Sequence, residues 1–214
     1  MCVSLLDPDQ IQITRLFPTP IASLRYPGFE TLNTELKAII LARAEQCSGT
    51  LHSNQGGWQS SDDFPAWADE PGQRLLDFAR ELANQLSAVQ SPEHGLVEAR
   101  LAWTHNAWAN INLHGHSNRL HGHPGAYWSA VYWVDAGDEH QGGELEFLDP
   151  RGLTPSLAHP HLRMRIEGCL DAGFMKNITP RAGTLLMFPS WLLHSVSPYL
   201  GQRPRISVAF NFSV

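Results

Sequence analysis

Two stretches in the first hundred residues carry apolar side chains at helical spacing. Leu32, Leu36, Ile39, Ile40 and Arg43 stand at i, i+4, i+7, i+8 and i+11, which predicts a helix that lays one face on a core. Leu75, Phe78, Ala79, Leu82 and Leu86 follow the same rule after Pro71 and Gly72. Before them, Ile11 to Phe17 alternates like a strand until Pro18 and Pro20 stop it. Between the two helices, Ser53 to Asp63 is so rich in Gly, Ser and Asp that it reads as an exposed loop.

From about Glu98 the spacing changes. Short strand-like runs separated by turn residues follow at Glu98 to His105, Trp108 to Leu113, Tyr127 to Val134, Glu144 to Leu148, Arg163 to Ile166, Thr184 to Phe188 and Arg205 to Val214. This order predicts an α+β, mainly β fold: a sandwich or jelly roll with the N-terminal helices packed on one outer face. With no repeat and no linker, one domain over 1–214 is expected, in which 1–97 is a helical and loop elaboration and 98–214 the β core.

The last run is the most informative. Ile206, Val208, Phe210, Phe212 and Val214 point one way and Arg205, Ser207, Ala209, Asn211 and Ser213 the other. An arginine beside small and hydroxyl-bearing neighbours fits either an ordinary solvent face or a cavity that receives an anion.

Composition narrows the function classes. Lys and Arg number 15 against 21 Asp and Glu, a formal net charge of −6, so no cationic surface is on offer to a phosphate backbone or an anionic membrane, and neither nucleic acid nor membrane is expected as a partner. No apolar run approaches the roughly 18 residues of a membrane span, and the N-terminal residues do not form a secretory signal. Cys2, Cys47 and Cys169 form no CxxC pair, which suggests a reducing, cytoplasmic setting without disulfides or thiolate zinc.

Histidine is the unusual ingredient. His105, His114, His116, His121 and His123 fall within nineteen residues, and two H-x-H pairs, His114-Gly115-His116 and His121-Gly122-His123, lie among them. On extended backbone the two rings of H-x-H share one side, close enough to share a divalent ion; an isolated pair is as readily a polar loop. Far downstream, His194 follows a strand and a Pro-Ser turn, Arg205 comes eleven positions later, and Ser207 lies on the same face of Arg205's strand. A metal pair, a distant third imidazole and an anion-binding R-x-S make an ordered set.

With these residues in place, the sequence resembles the Fe(II)- and 2-oxoglutarate-dependent oxygenases, specifically an uncharacterised bacterial family within that superfamily. The likeness runs through Leu16 to Ile21, Ser53 to Ser60, Asn118 to Pro124, Ser129 to Val134, Gly143 to Arg151, Phe188 to His194 and Arg205-Ile206-Ser207, which spans nearly the whole chain. The resemblance implies a distorted double-stranded β-helix, a cupin-like jelly roll with the metal at its open end. It further implies Fe(II) and 2-oxoglutarate as cofactors, the latter oxidatively decarboxylated to succinate and CO₂ while a substrate is oxidised, typically by hydroxylation. Three facial ligands on octahedral iron leave two positions for the cosubstrate and one for dioxygen.

By the same resemblance His121, His123 and His194 are the metal ligands and catalytic centre, Arg205 holds the far carboxylate of 2-oxoglutarate and Ser207 assists. The chain departs from the superfamily at His123, where a carboxylate usually completes a 2-His-1-carboxylate triad. Asn110, Asn112 and Tyr132 are candidates to line the cosubstrate pocket, or else are buried groups bonded to backbone. His114 and His116 fit a second metal pair or a solvated loop. Trp58, Trp128 and Trp191 are candidates to frame the substrate mouth or to pack in the core.

Three other readings stay open on sequence: a three-histidine zinc hydrolase or hydratase, which needs no Arg205; a cupin-type dioxygenase without a 2-oxo acid; and a non-catalytic metal-dependent binding module. The expected partner is a small-molecule or peptide substrate. Edge strands of a jelly roll also leave room for a homodimer.

Overall fold

Antiparallel pairing arranges the chain in two layered sheets with helices on one outer face. A computed structural model describes residues 11–98 and 100–214; Cys2 lies outside them. In chain order the elements are β1 (Ala22–Arg25), α1 (Phe29–Gln46), β2 (Asn54–Gln55), β3 (Trp58–Gln59), α2 (Phe64–Trp67), α3 (Asp69–Gln85), β4 (Val89–Ser91), β5 (Gly95–Val97) and β6 (Thr104–Asn112). They continue with β7 (Ser117–His121), β8 (Trp128–Asp135), β9 (Leu145–Phe147), α4 (Thr154–Ala158), β10 (Lys176–Ile178), β11 (Thr184–Pro189), β12 (His194–Val196) and β13 (Arg205–Ser213). The larger sheet runs β1-β11-β8-β13-β6-β3, the smaller β10-β9-β12-β7-β2, and β4 and β5 form a separate hairpin.

Strand parity decides what each layer buries. Ile206, Val208, Phe210 and Phe212 of β13 are all fully buried and pack with Leu32, Leu36 and Ile40 of α1 and Leu75, Leu76 and Ala79 of α3. This is the larger core, and its β13 face is the one the alternation in the sequence marks as apolar. A polar bond fastens the helices to the sheet within it: the Tyr132 hydroxyl donates to Asn33 Oδ1 at 2.6 Å, and Asn33 Nδ2 donates to the Val134 carbonyl at 2.7 Å. The opposite face of the large sheet looks toward the small one, where Trp133, Leu145, Phe147, Leu186, Phe188 and Leu192 form a second apolar cluster. Arg205, Ser207 and Ala209 of β13 line a cavity on that inner side.

Several sequence expectations are corrected. Ile11 to Phe17 forms no strand; the pairing begins at Ala22, beyond both prolines, against β11. Proline lacks the donor that a ladder needs, so the pairing segment lies after them. Arg163 to Ile166 is irregular and Lys176–Ile178 pairs with β9 instead. The intervening loop is clasped by the Asp149 carboxylate, which accepts from the Arg151 guanidinium and from the Gly173 backbone at 2.5 Å. The runs around His105 and Trp108 are one continuous strand, β6.

The Ser53–Asp63 segment is also more ordered than its composition suggests. It contributes β2 to the small sheet and β3 to the large one, so it bridges the two layers. Gly56 and Gly57, at φ 71° and 74°, make the turn, and a Cβ at Gly56 would stand 2.4 Å from the His116 ring. Only glycine fits there. Among the described residues, no helix is long and apolar enough to cross a membrane.

Candidate metal centre

The small sheet places two of the histidines by register alone. β7 ends on His121, β12 begins on His194, and the two face each other across the antiparallel pair. His123 follows β7 by two residues, and its backbone N–H donates to the Ser190 carbonyl at 3.0 Å, which ties it to the turn preceding His194. The ring centroids lie 4.4 Å apart for His121 and His194, 5.0 Å for His121 and His123 and 5.2 Å for His123 and His194. One nitrogen from each of the three lies within 4.8 Å of the others, the spacing that three ligands of one ion require.

Local hydrogen bonds set the tautomers. His121 Nδ1 donates to the Arg119 carbonyl at 2.7 Å and His194 Nδ1 to the Leu192 carbonyl at 2.9 Å. In each neutral ring this leaves the Nε2 lone pair as the acceptor, the arrangement typical of metal-ligating imidazoles. Burial lowers the pKa of all three: to about 4 for His123, where the neighbouring His121 adds to the effect, and to about 3 for His194, again helped by His121 and His123. For His121 the same desolvation outweighs backbone bonds that favour the proton. At neutral pH the cluster is therefore three uncharged imidazoles with unshared pairs converging.

Across the gap, the large sheet presents Arg205 at the start of β13, opposite Asn112 of β6. It is 2% exposed. Its Nη1 donates to Asn112 Oδ1 at 3.3 Å, and its Nε is buried without any partner. No carboxylate pairs with it among the described residues. Desolvation brings its pKa down to about 10, so it remains a cation at neutral pH. A buried guanidinium without a counter-ion is costly, and an anionic ligand is what removes that cost. The cavity it lines is shared with His121, His123 and His194 and with Ser207, Asn110 and Asn112. The donor set and the orphaned cation thus fit a divalent ion together with an anion that reaches from one sheet to the other.

Tyr132 is a correction. It is fully buried on the helix side of β8, bonded to Asn33, and faces away from this cavity. Parity explains it: on the strand where Trp133 looks inward, its neighbour cannot. Of the candidate mouth tryptophans, Trp58 and Trp128 are engaged elsewhere, while Trp191 lies in the turn between Ser190 and His194. Trp58 donates to the Cys47 carbonyl, Trp128 is buried and donates to Ser87 Oγ, and Trp191 is exposed at 55%. His114 and His116 form no metal group; His116 Nδ1 accepts from the Leu113 N–H at 3.0 Å, and His114 Nδ1 donates to the Leu200 carbonyl.

The structure adds residues that the sequence reading passed over. Ser53 Oγ lies 3.4 Å from His121 Nε2. Beside the histidines opens a second, more exposed hollow lined by His52, Gln59, Asp62, Asn106, Trp108 and Asn211. Asn211 is an inward position of the last strand, Trp108 joins the site through the pairing of β6 with β13, and Gln59 through the pairing of β3 with β6.

The family described as "Putative 2OG-Fe(II) oxygenase" matches residues 106–211. No curated protein matches. Among solved structures, a Pseudomonas putida prolyl-4-hydroxylase is similar with 18% identity and a TM-score of 0.60, covering 91% of this chain and 92% of that one. A Trichoplax adhaerens prolyl hydroxylase, in complex with a hypoxia inducible factor peptide fragment, has 13% identity and a TM-score of 0.64 over 90% and 83%. HygX from Streptomyces hygroscopicus, with nickel and 2-oxoglutarate bound, has 15% identity and a TM-score of 0.56 over 91% and 83%. At these identities the solved structures speak to the fold alone, a jelly roll of antiparallel sheets.

Proposed function

Because residues 106–211 match the 2OG-Fe(II) oxygenase family, we propose that His121, His123 and His194 hold Fe(II) and that Arg205, with Ser207, Asn110 and Asn112 beside it, anchors 2-oxoglutarate. The observation that carries this assignment is a buried guanidinium, without a counter-ion among the described residues, in the same cavity as three neutral imidazoles. When bound, the iron would activate dioxygen as the oxidant, with 2-oxoglutarate as the co-reductant that leaves as succinate and CO₂.

The chain's own residues do four things. The Arg119 and Leu192 carbonyls hold His121 and His194 in the tautomer that offers Nε2 to the metal. The Arg205 fork fixes the far carboxylate of the cosubstrate and so orients its 2-oxo acid end toward the histidines. Leu145, Val196, Trp133 and Phe188 wall the cavity and exclude water. The neighbouring hollow, with the amides of Gln59, Asn106 and Asn211 and the Trp108 ring, receives a small-molecule or peptide substrate next to His121 and His123.

A histidine in place of the usual carboxylate leaves the metal site one charge more positive, which strengthens its pull on an anionic cosubstrate. A zinc hydrolase would use the histidines but gives Arg205 no task. The test is iron-dependent conversion of 2-oxoglutarate to succinate by the purified protein. Tight zinc binding with no succinate, even from the iron-loaded protein, would overturn the assignment.

A further inference from the structure

We propose that the indole N–H of Trp133 is a further hydrogen-bond donor to the carboxylate anchored by Arg205, an inference that rests on the oxygenase reading above. Trp133 is 1% exposed, and its Nε1 is a buried donor without a partner. The other unpartnered donor in the same cavity is Arg205 Nε. Buried polar hydrogens are normally satisfied, and this chain follows that rule at Trp58, Trp103 and Trp128, whose indoles donate to the Cys47 carbonyl, Asn84 Oδ1 and Ser87 Oγ at 2.9 Å each; the other buried exception among the described indoles is Trp67, which does not line this cavity.

Register places the two orphans together. Trp133 of β8 stands opposite Ser207 of β13, and Ser207 is two residues from Arg205, so all three side chains belong to the inner face of the large sheet. Leu145, Val196 and Phe188 make the apolar wall near them, Asn112 accepts from Arg205 Nη1 and Asn110 stands opposite Ser207, and no aspartate or glutamate lines the cavity. A guanidinium, a hydroxyl and an indole N–H on one face, with no acid to accept from them, fit a ligand group that only accepts: a carboxylate. Packing alone would be served by phenylalanine, which the same cluster already uses at Phe147 and Phe188.

The test is made on metal-loaded, full-length protein with 2-oxoglutarate as the probe. Trp133→Phe is expected to weaken 2-oxoglutarate binding about tenfold to a hundredfold by calorimetry, with metal affinity unchanged. In the unmutated protein loaded with Zn(II), the Trp133 indole signal, assigned by its proximity to Leu145 and Phe188, is expected to move downfield in ¹H–¹⁵N spectra when 2-oxoglutarate is added. This second readout stands even where the variant does not fold. An unmoved indole signal, or unchanged affinity in Trp133→Phe while Arg205→Met loses binding, overturns the role of Trp133 alone. Failure of the unmutated, metal-loaded protein to bind 2-oxoglutarate removes the oxygenase reading and this inference together.

Discussion

His121 and His194 face each other in register on neighbouring antiparallel strands, with ring centroids 4.4 Å apart. The pair is thus positioned by sheet hydrogen bonding and by one backbone carbonyl apiece, without help from a flexible loop. Replacing either with alanine is expected to weaken Fe(II) or Mn(II) binding by more than about a hundredfold, read by calorimetry, while the fold survives by circular dichroism.

His123 is held differently, just beyond the end of β7, where its N–H donates to the Ser190 carbonyl and its own carbonyl accepts from the Ala126 N–H. His123→Asp restores the carboxylate of the common triad and is expected to keep metal binding within about tenfold of the parent. His123→Ala is expected to lose substantially more. Equal affinity in all three proteins would show that His123 is not a ligand.

Gly143 tests the anchor from the outside. Its φ is 69°, and a Cβ there would stand 3.0 Å from Arg205 Cδ and 3.2 Å from Nε. Gly143→Ala is expected to displace the guanidinium and weaken 2-oxoglutarate binding about tenfold, with a stability cost of about 1–3 kcal/mol from the strained backbone, measured by calorimetry and urea denaturation. Metal affinity should stay constant.

Tyr132→Phe separates the two faces of β8. It strips Asn33 Oδ1 of its donor and is expected to cost about 1–3 kcal/mol of stability for the buried acceptor left behind. Affinity for 2-oxoglutarate should not change. A drop in that affinity without loss of stability would return Tyr132 to the site.

Protonation should oppose both metal binding and folding. The folded-state values of about 4 for His123 and about 3 for His194 lie below the value of about 6.5 expected in an unfolded chain. On acidification the unfolded chain takes up protons first, so metal-free stability is expected to fall as the pH drops from about 6.5 toward 3. Metal affinity should be nearly flat from pH 6 to 8, within about twofold. Denaturation and metal titrations across this range provide the check.

The part of this molecule legible in sequence is the part governed by short-range rules. The alternation of β13 separates Ile206, Val208, Phe210 and Phe212 from Arg205 and Ser207, and that division is the one between helix-side core and inner cavity. Helical periodicity likewise marks Leu32, Leu36 and Ile40 as buried positions of α1. What was not legible depends on which strand pairs with which. Parity along β8 cannot tell from one sequence whether Tyr132 or Trp133 looks inward, because both are large and aromatic. The loop at Ser53–Asp63 carries no strand signal, yet β2 and β3 form because the edges of β7 and β6 are open to them. Arg163 to Ile166 has the right composition for a strand, but Lys176–Ile178 takes the edge of β9 instead.

The division of labour between the sheets has a dimensional consequence. Histidines on one layer and the guanidinium on the other make the spacing of packed sheets, about 10 Å, a caliper for whatever spans it. A ligand shorter than that gap would leave one layer unreached, and a longer one would have to bend. Neither layer can be shifted to suit them without repacking the aromatic cluster that sets the gap.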